Sequence, residues 1–248
     1  MRTKEPTAKL RGRILSLSVS REANRWYVSL TVERQREDPT PIQAEVVGVD
    51  LGISSFAVLS DGTRIASPKA LGRSLRRLRR LSKAHTRKQR GSKNGRKSAM
   101  RLARLHWRIR NQRRDFLHKA TTALAKAKSV IVVEDLNVQG MIRNRHLSRQ
   151  IADAGWSEFR RQLAYKTVWC GSQLVVALRF FASSKRCSAC GAVKNELPLA
   201  QRVYHCDACG AVLDRDLNAA RNLASLVAGS SSETQNACGE NVSPALAG

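Results

Sequence analysis

The sequence predicts an α/β protein: a mixed five-stranded sheet with helices, a basic helical hairpin insertion and an inserted four-cysteine zinc ribbon. Three observations support this prediction. Short apolar runs of β-type composition alternate with segments of helical periodicity. The segment Lys69–Lys119 keeps helical spacing and is dense in Lys and Arg. Two CxxC pairs follow the last apolar run.

Size and charge limit the possible class of protein. A chain of 248 residues with 42% hydrophobic content can bury one main core and carry a small additional module. The 45 Lys and Arg against 19 Asp and Glu give a formal charge of +26, which favours nucleic acid as the partner. No segment approaches the roughly 18 apolar residues of a membrane-spanning helix, and Met1–Leu10 lacks a signal-peptide core. We therefore expect a cytoplasmic, nucleoid-associated protein.

The first predicted element is a β-hairpin. Ile14–Val19 and Trp26–Val32 have β-type composition and flank the turn-like segment Arg21–Arg25. A bare hairpin is marginal in water, so it either packs on the following domain or is the remnant of a larger N-terminal one. We assign residues 1–40 to this unit.

Five further apolar runs predict the sheet of the main domain, residues 41–183. Asp61 and Gly62 give a hairpin signal between the second and third runs, so the first three strands are expected to be antiparallel. The fourth run follows a helical segment, which indicates a crossover into a parallel strand. The predicted strands are Glu45–Asp50, Phe56–Leu59, Thr63–Ala66, Ser129–Val133 and Leu174–Phe180. Helices are predicted near Leu147–Thr167 and Asp216–Val227.

The basic segment predicts a helical hairpin over residues 69–127. Its leucines recur at helical spacing, Gly91–Gly95 divides it, and Lys69–Lys119 contains a single acid, Asp115. So many cations on two helices repel one another unless phosphates and counterion release relieve the repulsion. The best nucleic-acid-binding candidates are Arg76, Arg77, Arg79, Arg80, Arg87, Lys88 and Arg90.

Three carboxylates form the candidate catalytic site. Asp50 and Glu134 end predicted neighbouring strands, and Asp216 opens the last helix. Hydrolysis of a phosphodiester with divalent ions requires hard oxygen ligands that converge on one place, so the three are predicted to bind catalytic Mg²⁺, with two ions expected. Taken singly, Asp50 could be a turn residue, Glu134 a solvated strand end and Asp216 a helix N-cap. Asp135 and Asp214 are nearby competitors, and Asp214 could be the N-cap that positions Asp216.

The paired cysteines predict one structural zinc ion. Cys187 and Cys190, then Cys206 and Cys209, form two knuckles, each followed by a glycine that permits a sharp turn. Four thiolates make a closed tetrahedral site, which is typical of structural zinc. Two redox pairs are the alternative, although neither opens a helix in a thioredoxin-like unit. Cys170 and Cys238 stand alone and are interpreted as bystanders.

These assignments divide the rest of the chain. Residues 184–212 are predicted to form the zinc ribbon, and residues 213–229 the final segment and helix of the main domain. Residues 230–248 are rich in Ser, Gly, Asn and Ala without a usable period, so a flexible tail is expected.

Four stretches of this sequence resemble the TnpB or OrfB transposon-encoded proteins, which are relatives of the type V CRISPR effector nucleases. They are Val47–Gly52, Ile131–Asn137, the two cysteine knuckles and Leu213–Asn222, and the resemblance extends from Gly12 to about Ala228. It implies an RNase H-like, RuvC-type nuclease with the zinc ribbon between its fifth strand and last helix. It also implies Mg²⁺ at Asp50, Glu134 and Asp216.

The resemblance further implies an RNA-guided DNA endonuclease, in which pairing with a guide RNA supplies sequence specificity. Family members carry a helical recognition lobe and most of a β-barrel before the strands of Gly12–Glu33, so we expect an N-terminally truncated member. The leading hypothesis is thus a Mg²⁺-dependent DNA endonuclease with DNA and a guide RNA as partners. The rival hypothesis is a catalytically idle DNA- or RNA-binding zinc-ribbon protein.

Overall fold

The computed structural model describes residues 12–198 and 200–228, which form nine strands and six helices. The predicted tail, residues 230–248, lies outside the described residues, as does Cys238. In chain order the elements are β1 (Arg13–Glu22), β2 (Arg25–Glu33), β3 (Val47–Leu51), β4 (Ala57–Leu59), β5 (Arg64–Ile65), α1 (Ala70–Thr86), α2 (Lys93–Ala127), β6 (Val130–Glu134), α3 (Val138–Ile142), α4 (Ser148–Ala154), α5 (Trp156–Cys170), β7 (Gln173–Ala177), β8 (Val203–His205), β9 (Val212–Asp214) and α6 (Arg215–Ala228).

A mixed five-stranded sheet, in the order β5-β4-β3-β6-β7, forms the centre of the fold. Strand β4 runs antiparallel to both β3 and β5, whereas β6 runs parallel to both β3 and β7. The predicted five-stranded mixed sheet is therefore present. The parallel pairing of β3 and β6 follows from the long helical connection between them, because parallel neighbours require a crossover.

Helices cover both faces of this sheet. On one face, buried Val49 and Val133 pack with side chains of α2, α4 and α5 in the largest apolar cluster. Phe56 belongs to this cluster, with its ring edge-on to Phe116 and Phe159. On the other face, Val132 of β6 packs against Leu223 of α6. Side chains that alternate along β3 and β6 thus meet α2, α4 and α5 on one side and α6 on the other.

The basic segment forms the predicted helical hairpin. Helices α1 and α2 meet through a small apolar cluster of Ala70, Leu105 and Ile109. The break between the helices is shorter than the predicted Gly91–Gly95, because α2 already begins at Lys93. Ser92 caps this helix by accepting a hydrogen bond from Gly95 N. Gly95 therefore lies within the first turn of α2. The carboxylate of Asp153 in α4 accepts hydrogen bonds from the backbone amide of Leu71 and from Arg113, which fastens α1 to the core.

Two predicted elements differ from the structure. The single helix over Leu147–Thr167 was wrong: Gly155 adopts a left-handed conformation (φ 74°) and divides it into α4 and α5. The strand predicted to reach Phe180 ends at Ala177. Its partner β6 ends at Glu134, the residue paired with Ala177, so the following residues have no ladder to join. The short helix α3 and the strands β8 and β9 were not predicted.

The N-terminal hairpin forms a two-stranded sheet of its own and contacts α2. Asn24 accepts a hydrogen bond from Arg104, and Tyr27 accepts one from the indole of Trp107. Its predicted strands are confirmed, and within the described residues its anchorage is polar. No helix in the described part of the chain is long and apolar enough to cross a membrane.

Candidate active site and metal centre

Asp50 and Glu134 lie side by side on neighbouring parallel strands. The register of β3 and β6 pairs Val49 with Val133, so the next residues on each strand are the two carboxylates. Neighbouring strands are about 4.8 Å apart, and residues in register project to the same face. Both side chains belong to the face of the sheet that α6 covers, because Val49 and Val133 belong to the opposite face.

Asp216 is brought to the same place by the packing of α6 on β3. A Cβ atom on Gly48 would lie 1.9 Å from the backbone oxygen of Ala220 and 2.6 Å from the backbone nitrogen of Ala224, so this contact requires glycine. Gly48 and Asp50 share one face of β3 because side chains alternate along a strand. Asp216 precedes Ala220 by about one helical turn. Sequence reasoning missed the role of Gly48, which a glycine inside a strand can signal.

The three carboxylates interact electrostatically in a largely buried site. Burial, followed by the negative charges of Glu134 and Asp216, raises the pKa of Asp50 well above its ordinary value. Burial also raises the pKa of Glu134, although a hydrogen bond from the Ser183 hydroxyl partly opposes this shift. A bound cation would relieve both the desolvation and the mutual repulsion. The donor set, carboxylate oxygens alone, is of the kind that Mg²⁺ prefers.

The carboxylates are less tightly grouped than the cysteines. Among the Asp, Glu, His and Cys side chains of residues 12–198 and 200–228, the four cysteines form a group whose ligand atoms all lie within 4.8 Å of one another. The three carboxylates do not form a group this compact. Oxygen ligands shared between two cations need not satisfy this limit, because such cations lie about 3.5–4 Å apart. The structure therefore brings the three carboxylates to one site in a looser arrangement.

The two competing acids have other partners. Asp214 accepts a hydrogen bond from Leu217 N at 3.0 Å, as a helix N-cap does, and forms an ion pair with Arg64 at 2.8 Å. The alternative in which Asp214 caps the helix and positions Asp216 is thus what the structure contains. Asp135 is held by Arg160 and Arg179, whose hydrogen bonds lower its pKa.

The four predicted zinc ligands converge on one point. The sulfur atoms of Cys187 and Cys209 are 3.8 Å apart, and those of Cys190 and Cys206 are 3.5 Å apart. Four sulfurs at the zinc–sulfur distance of about 2.3 Å form a tetrahedron with edges of about 3.8 Å, so the cluster could hold one such ion. A hydrogen bond from the Cys209 backbone amide lowers the pKa of the Cys206 thiol to about 6, which favours the thiolate. Cys170 lies outside this cluster.

Helix α6 connects the cysteine cluster to the carboxylates. Buried Asn218 accepts a hydrogen bond from Ser188 N at 2.8 Å and donates one to Arg186 O at 2.7 Å. Buried Asn222 donates to the backbone oxygens of Ser183 and Arg186. The same helix therefore carries Asp216 and fixes the segment that presents both Ser183 and Cys187. The sequence indicated these asparagines only as part of the Leu213–Asn222 stretch. Their roles could not be predicted, because their hydrogen-bond partners lie 30 to 39 residues earlier in the chain.

The basic residues predicted to bind nucleic acid lie on α1 and in the loop that follows it. All seven are exposed. Arg77 lines a cleft between α1 and α2 together with Arg101, Arg104 and Arg108, which sequence reasoning did not single out. The other six, Arg76, Arg79, Arg80, Arg87, Lys88 and Arg90, do not line it. Lys194, between the cysteine knuckles, is engaged by Asp207 at 2.9 Å.

Two family models match the chain. Residues 29–145 match the OrfB family of IS605 elements, described as "Probable transposase". Residues 156–223 match the "Cas12f1-like, TNB domain" family, a range that contains the cysteine cluster and Asp216.

Curated relatives match over almost the whole chain. A Streptomyces pristinaespiralis protein named "Putative RNA-guided DNA endonuclease" is 44% identical over 230 residues, which are 92% of this chain and 56% of the relative. "Putative RNA-guided DNA endonuclease InsQ" of Escherichia coli (strain K12) is 37% identical over 246 residues, 93% of this chain and 60% of the relative. The chain thus spans somewhat more than half the length of these relatives.

Two solved structures resemble the fold. A chain from a cryo-EM structure of a CRISPR-Cas12f ternary complex has a TM-score of 0.57 and 19% identity, and the match covers 80% of this chain and 42% of that one. A chain from a Cas12f1–sgRNA–target DNA complex has a TM-score of 0.53 and 16% identity, with coverage of 84% and 55%. At these identities the likeness concerns the fold alone.

Proposed function

The chain belongs to the OrfB/TnpB family of transposon-encoded proteins, and from this membership we propose that it is a metal-dependent DNA endonuclease of the TnpB type. The observation that carries the proposal is the meeting of Asp50, Glu134 and Asp216 on the α6 face of the sheet. The sheet and its helices are assigned to the RNase H-like, RuvC type, with the basic hairpin (69–127) as an insertion in the core and residues 184–212 as the zinc ribbon.

The proposed reaction is hydrolysis of a phosphodiester bond. Asp50, Glu134 and Asp216 would hold two Mg²⁺ ions, which supply water activation and stabilisation of the leaving oxygen when bound. The hydroxyl of Ser183 orients Glu134 through its hydrogen bond. Asp214 fixes the first turn of α6 and so the position of Asp216.

The other assignments are part of the same proposal. One structural zinc ion would be held by Cys187, Cys190, Cys206 and Cys209. DNA is the proposed substrate and a guide RNA the proposed partner, on the strength of what the relatives' names state. The seven basic residues predicted from the sequence would attract the nucleic-acid backbone to α1.

A second candidate function is nucleic-acid binding without cleavage. The exposed arginines of the hairpin favour it, because they form a cationic surface that does not depend on the three carboxylates. Both functions predict binding of nucleic acid, and only the first predicts cleavage that requires Asp50.

A cleavage assay separates the two candidates. The chain, purified with co-expressed RNA, is incubated with Mg²⁺ and single- or double-stranded DNA and compared with Asp50→Ala and Glu134→Ala. We expect cleavage by the unmodified chain and a loss of at least about 100-fold in either variant, because metal ligands act as a unit. The control is Asp115→Ala, which removes an exposed acid paired with Lys119 and should cleave normally. Absence of cleavage that depends on Asp50 and Glu134 would contradict the nuclease proposal and leave the binding function.

A further inference from the structure

A cleft between the two helices of the basic hairpin is lined mainly by arginines. It has a volume of about 290 Å³, and we call it the arginine cleft; its lining residues are Arg77, Leu81, Arg101, Arg104, Leu105 and Arg108. A second depression of about 330 Å³ shares Arg104 and Arg108 with it and adds Asn24, Arg25 and Trp107. The two depressions adjoin at Arg104 and Arg108, and their lining residues extend from α1 past α2 to the N-terminal hairpin; we call the pair the groove.

The arginines of α2 form a row along this groove. Arg101, Arg104 and Arg108 are spaced by three and four residues, so they lie on one face of the helix. Their Cα atoms advance along the helix axis by about 4.5 and 6 Å, at the α-helical rise of about 1.5 Å per residue. Arg77 of α1 faces this row across the cleft. The result is a double-sided line of guanidinium groups.

The charges of the arginine cleft are not neutralised by the described part of the protein. The guanidinium groups of Arg77, Arg101 and Arg108 form no ion pair or hydrogen bond with any described residue, and that of Arg104 donates only to the neutral Asn24. In contrast, the neighbouring Arg110 is paired with Glu22 at 2.9 Å. Unpaired guanidinium groups at such spacing repel one another, and binding of a polyanion would relieve this repulsion.

Trp107 contacts Tyr27 and Arg25 at the end of the groove next to the N-terminal hairpin. Its indole donates a hydrogen bond of 2.7 Å to the hydroxyl of Tyr27, and the guanidinium of Arg25 lies 4.4 Å from its ring centroid. This stacking fixes Arg25 beside Arg104 and Arg108 in the second depression. A guanidinium held in one orientation is suited to bidentate contacts with phosphate.

We propose that the arginine cleft binds the sugar-phosphate backbone of a nucleic-acid strand. The proposal deepens the proposed function, because it names the surface that holds the nucleic acid, and it rests on that function only in the choice of partner. The cleft makes the main backbone contacts, and the exposed cations outside it, such as Arg76, Arg79 and Arg80, contribute by long-range attraction. Such contacts hold the strand without reading its sequence.

The test compares two triple variants that remove the same amount of charge. In the cleft variant Arg77, Arg101 and Arg108 are changed to Gln; in the outer variant Arg76, Arg79 and Arg80 are changed to Gln. Fluorescence anisotropy with labelled oligothymidylate, duplex DNA and single-stranded RNA gives the affinity over a range of salt. For single strands we expect the cleft variant to bind at least about 10-fold more weakly and its salt slope to fall by about 2, since each phosphate that is no longer neutralised lowers the slope by about 0.7. The outer variant should bind no more than about 3-fold more weakly.

The outcomes are separable from those of the cleavage assay. Equal effects in the two triple variants, or an unchanged salt slope in the cleft variant, would contradict the proposal that the arginine cleft binds the strand. The probe whose affinity depends most on the cleft identifies the strand that occupies it. Binding is measured in EDTA, where no metal-dependent cleavage occurs, so a failure of cleavage alone leaves the cleft intact. Melting temperatures of the variants show whether they keep the fold. The single variant Arg101→Gln repeats the test at one exposed position, where the salt slope of the affinity should fall by about 0.7.

Discussion

At the scale of single residues, Asp50 shows the conflict between stability and function. It is buried next to two other carboxylates, and Arg215 is the cation whose charge opposes the rise in its pKa. Ser183 donates a hydrogen bond to Glu134 rather than to Asp50. Such surroundings favour the neutral carboxyl over the carboxylate, so the metal-free protein is less stable at neutral pH than it would be without this raised pKa.

We predict that Asp50→Asn raises the stability of the protein in the presence of EDTA. The folded-state pKa of Asp50 lies above its unfolded value, so stability is greater at low pH and falls as pH rises from about 3.8 through the raised folded-state value. The neutral amide removes this destabilisation. The melting temperature at pH 7 should rise by about 2–4 °C for each kcal/mol of desolvation and repulsion removed. Mg²⁺ should stabilise the unmodified protein and have no comparable effect on the variant.

Asp61→Asn is the matched control for this prediction. Although partial burial opposes the shift, hydrogen bonds from Thr63 and Lys128 lower the pKa of Asp61, so its charged form is favoured in the fold. Its removal should leave the melting temperature unchanged or lower it. A decrease in stability on Asp50→Asn in EDTA would contradict the argument that burial and repulsion disfavour the charged Asp50.

At the scale of elements, α6 performs three tasks with different positions. Asp216 joins the carboxylates, Ala220 packs on Gly48, and Asn222 holds the segment before the cysteine knuckles. Its packing on the sheet depends on a backbone contact that leaves no space for a side chain on Gly48. The position of Asp216 therefore depends on a residue that bears no functional group.

We predict that Gly48→Ala destabilises the protein and displaces α6. The new methyl group would overlap the backbone of Ala220, which cannot rotate away, so the cost should be about 1–3 kcal/mol or more. The midpoint of urea unfolding should fall, and cleavage should fall with it because Asp216 moves.

Gly72→Ala should have the opposite effect on the free energy of unfolding. A methyl group there would have its nearest neighbour, Lys69 Cβ, at the ordinary contact distance of 3.7 Å, and Gly72 lies in α1. Replacement of a helical glycine by alanine favours folding by about 0.5–1 kcal/mol. If Gly48→Ala were as stable as the unmodified chain, the close approach of α6 would not be required.

At the scale of the whole molecule, the cysteine module has only a small apolar core of its own. Its apolar cluster contains three buried residues, Cys187, Tyr204 and Cys206, and two of these are proposed metal ligands. So small a core is insufficient by itself, and metal binding normally supplies the remaining folding free energy. Asn218 and Asn222 attach the module to α6 through hydrogen bonds to the backbone oxygen of Arg186.

We predict about one zinc ion per chain by metal analysis. Cys209→Ser should abolish zinc binding, and residues 184–212 should then become sensitive to limited proteolysis while the main sheet stays resistant. Cys170→Ser, at a cysteine outside the cluster, should keep the zinc and the protection. A metal-free module that resists proteolysis would refute the zinc site.

The sequence predicted most of the sheet because each strand is a short apolar run bounded by polar or turn residues. It failed at Leu147–Thr167, where helical periodicity continues across Gly155 although the backbone turns there. It also failed at Leu178 and Phe180, which are apolar but 86% and 94% exposed, because strand length depends on the partner strand. The choice of Asp216 over Asp214 agrees with the observed capping by Asp214, and its role as a metal ligand stays a prediction.

The sequence by itself determined the strands, the basic hairpin, the paired cysteines and the family, because composition, spacing and motifs are local properties of the chain. Only the tertiary structure decided which distant groups meet. It set Asp50 beside Glu134 through the register of β3 and β6, brought Asp216 to them through the contact of α6 with Gly48, and formed the arginine cleft from residues on two helices. These arrangements depend on packing between elements far apart in sequence, which no local pattern encodes.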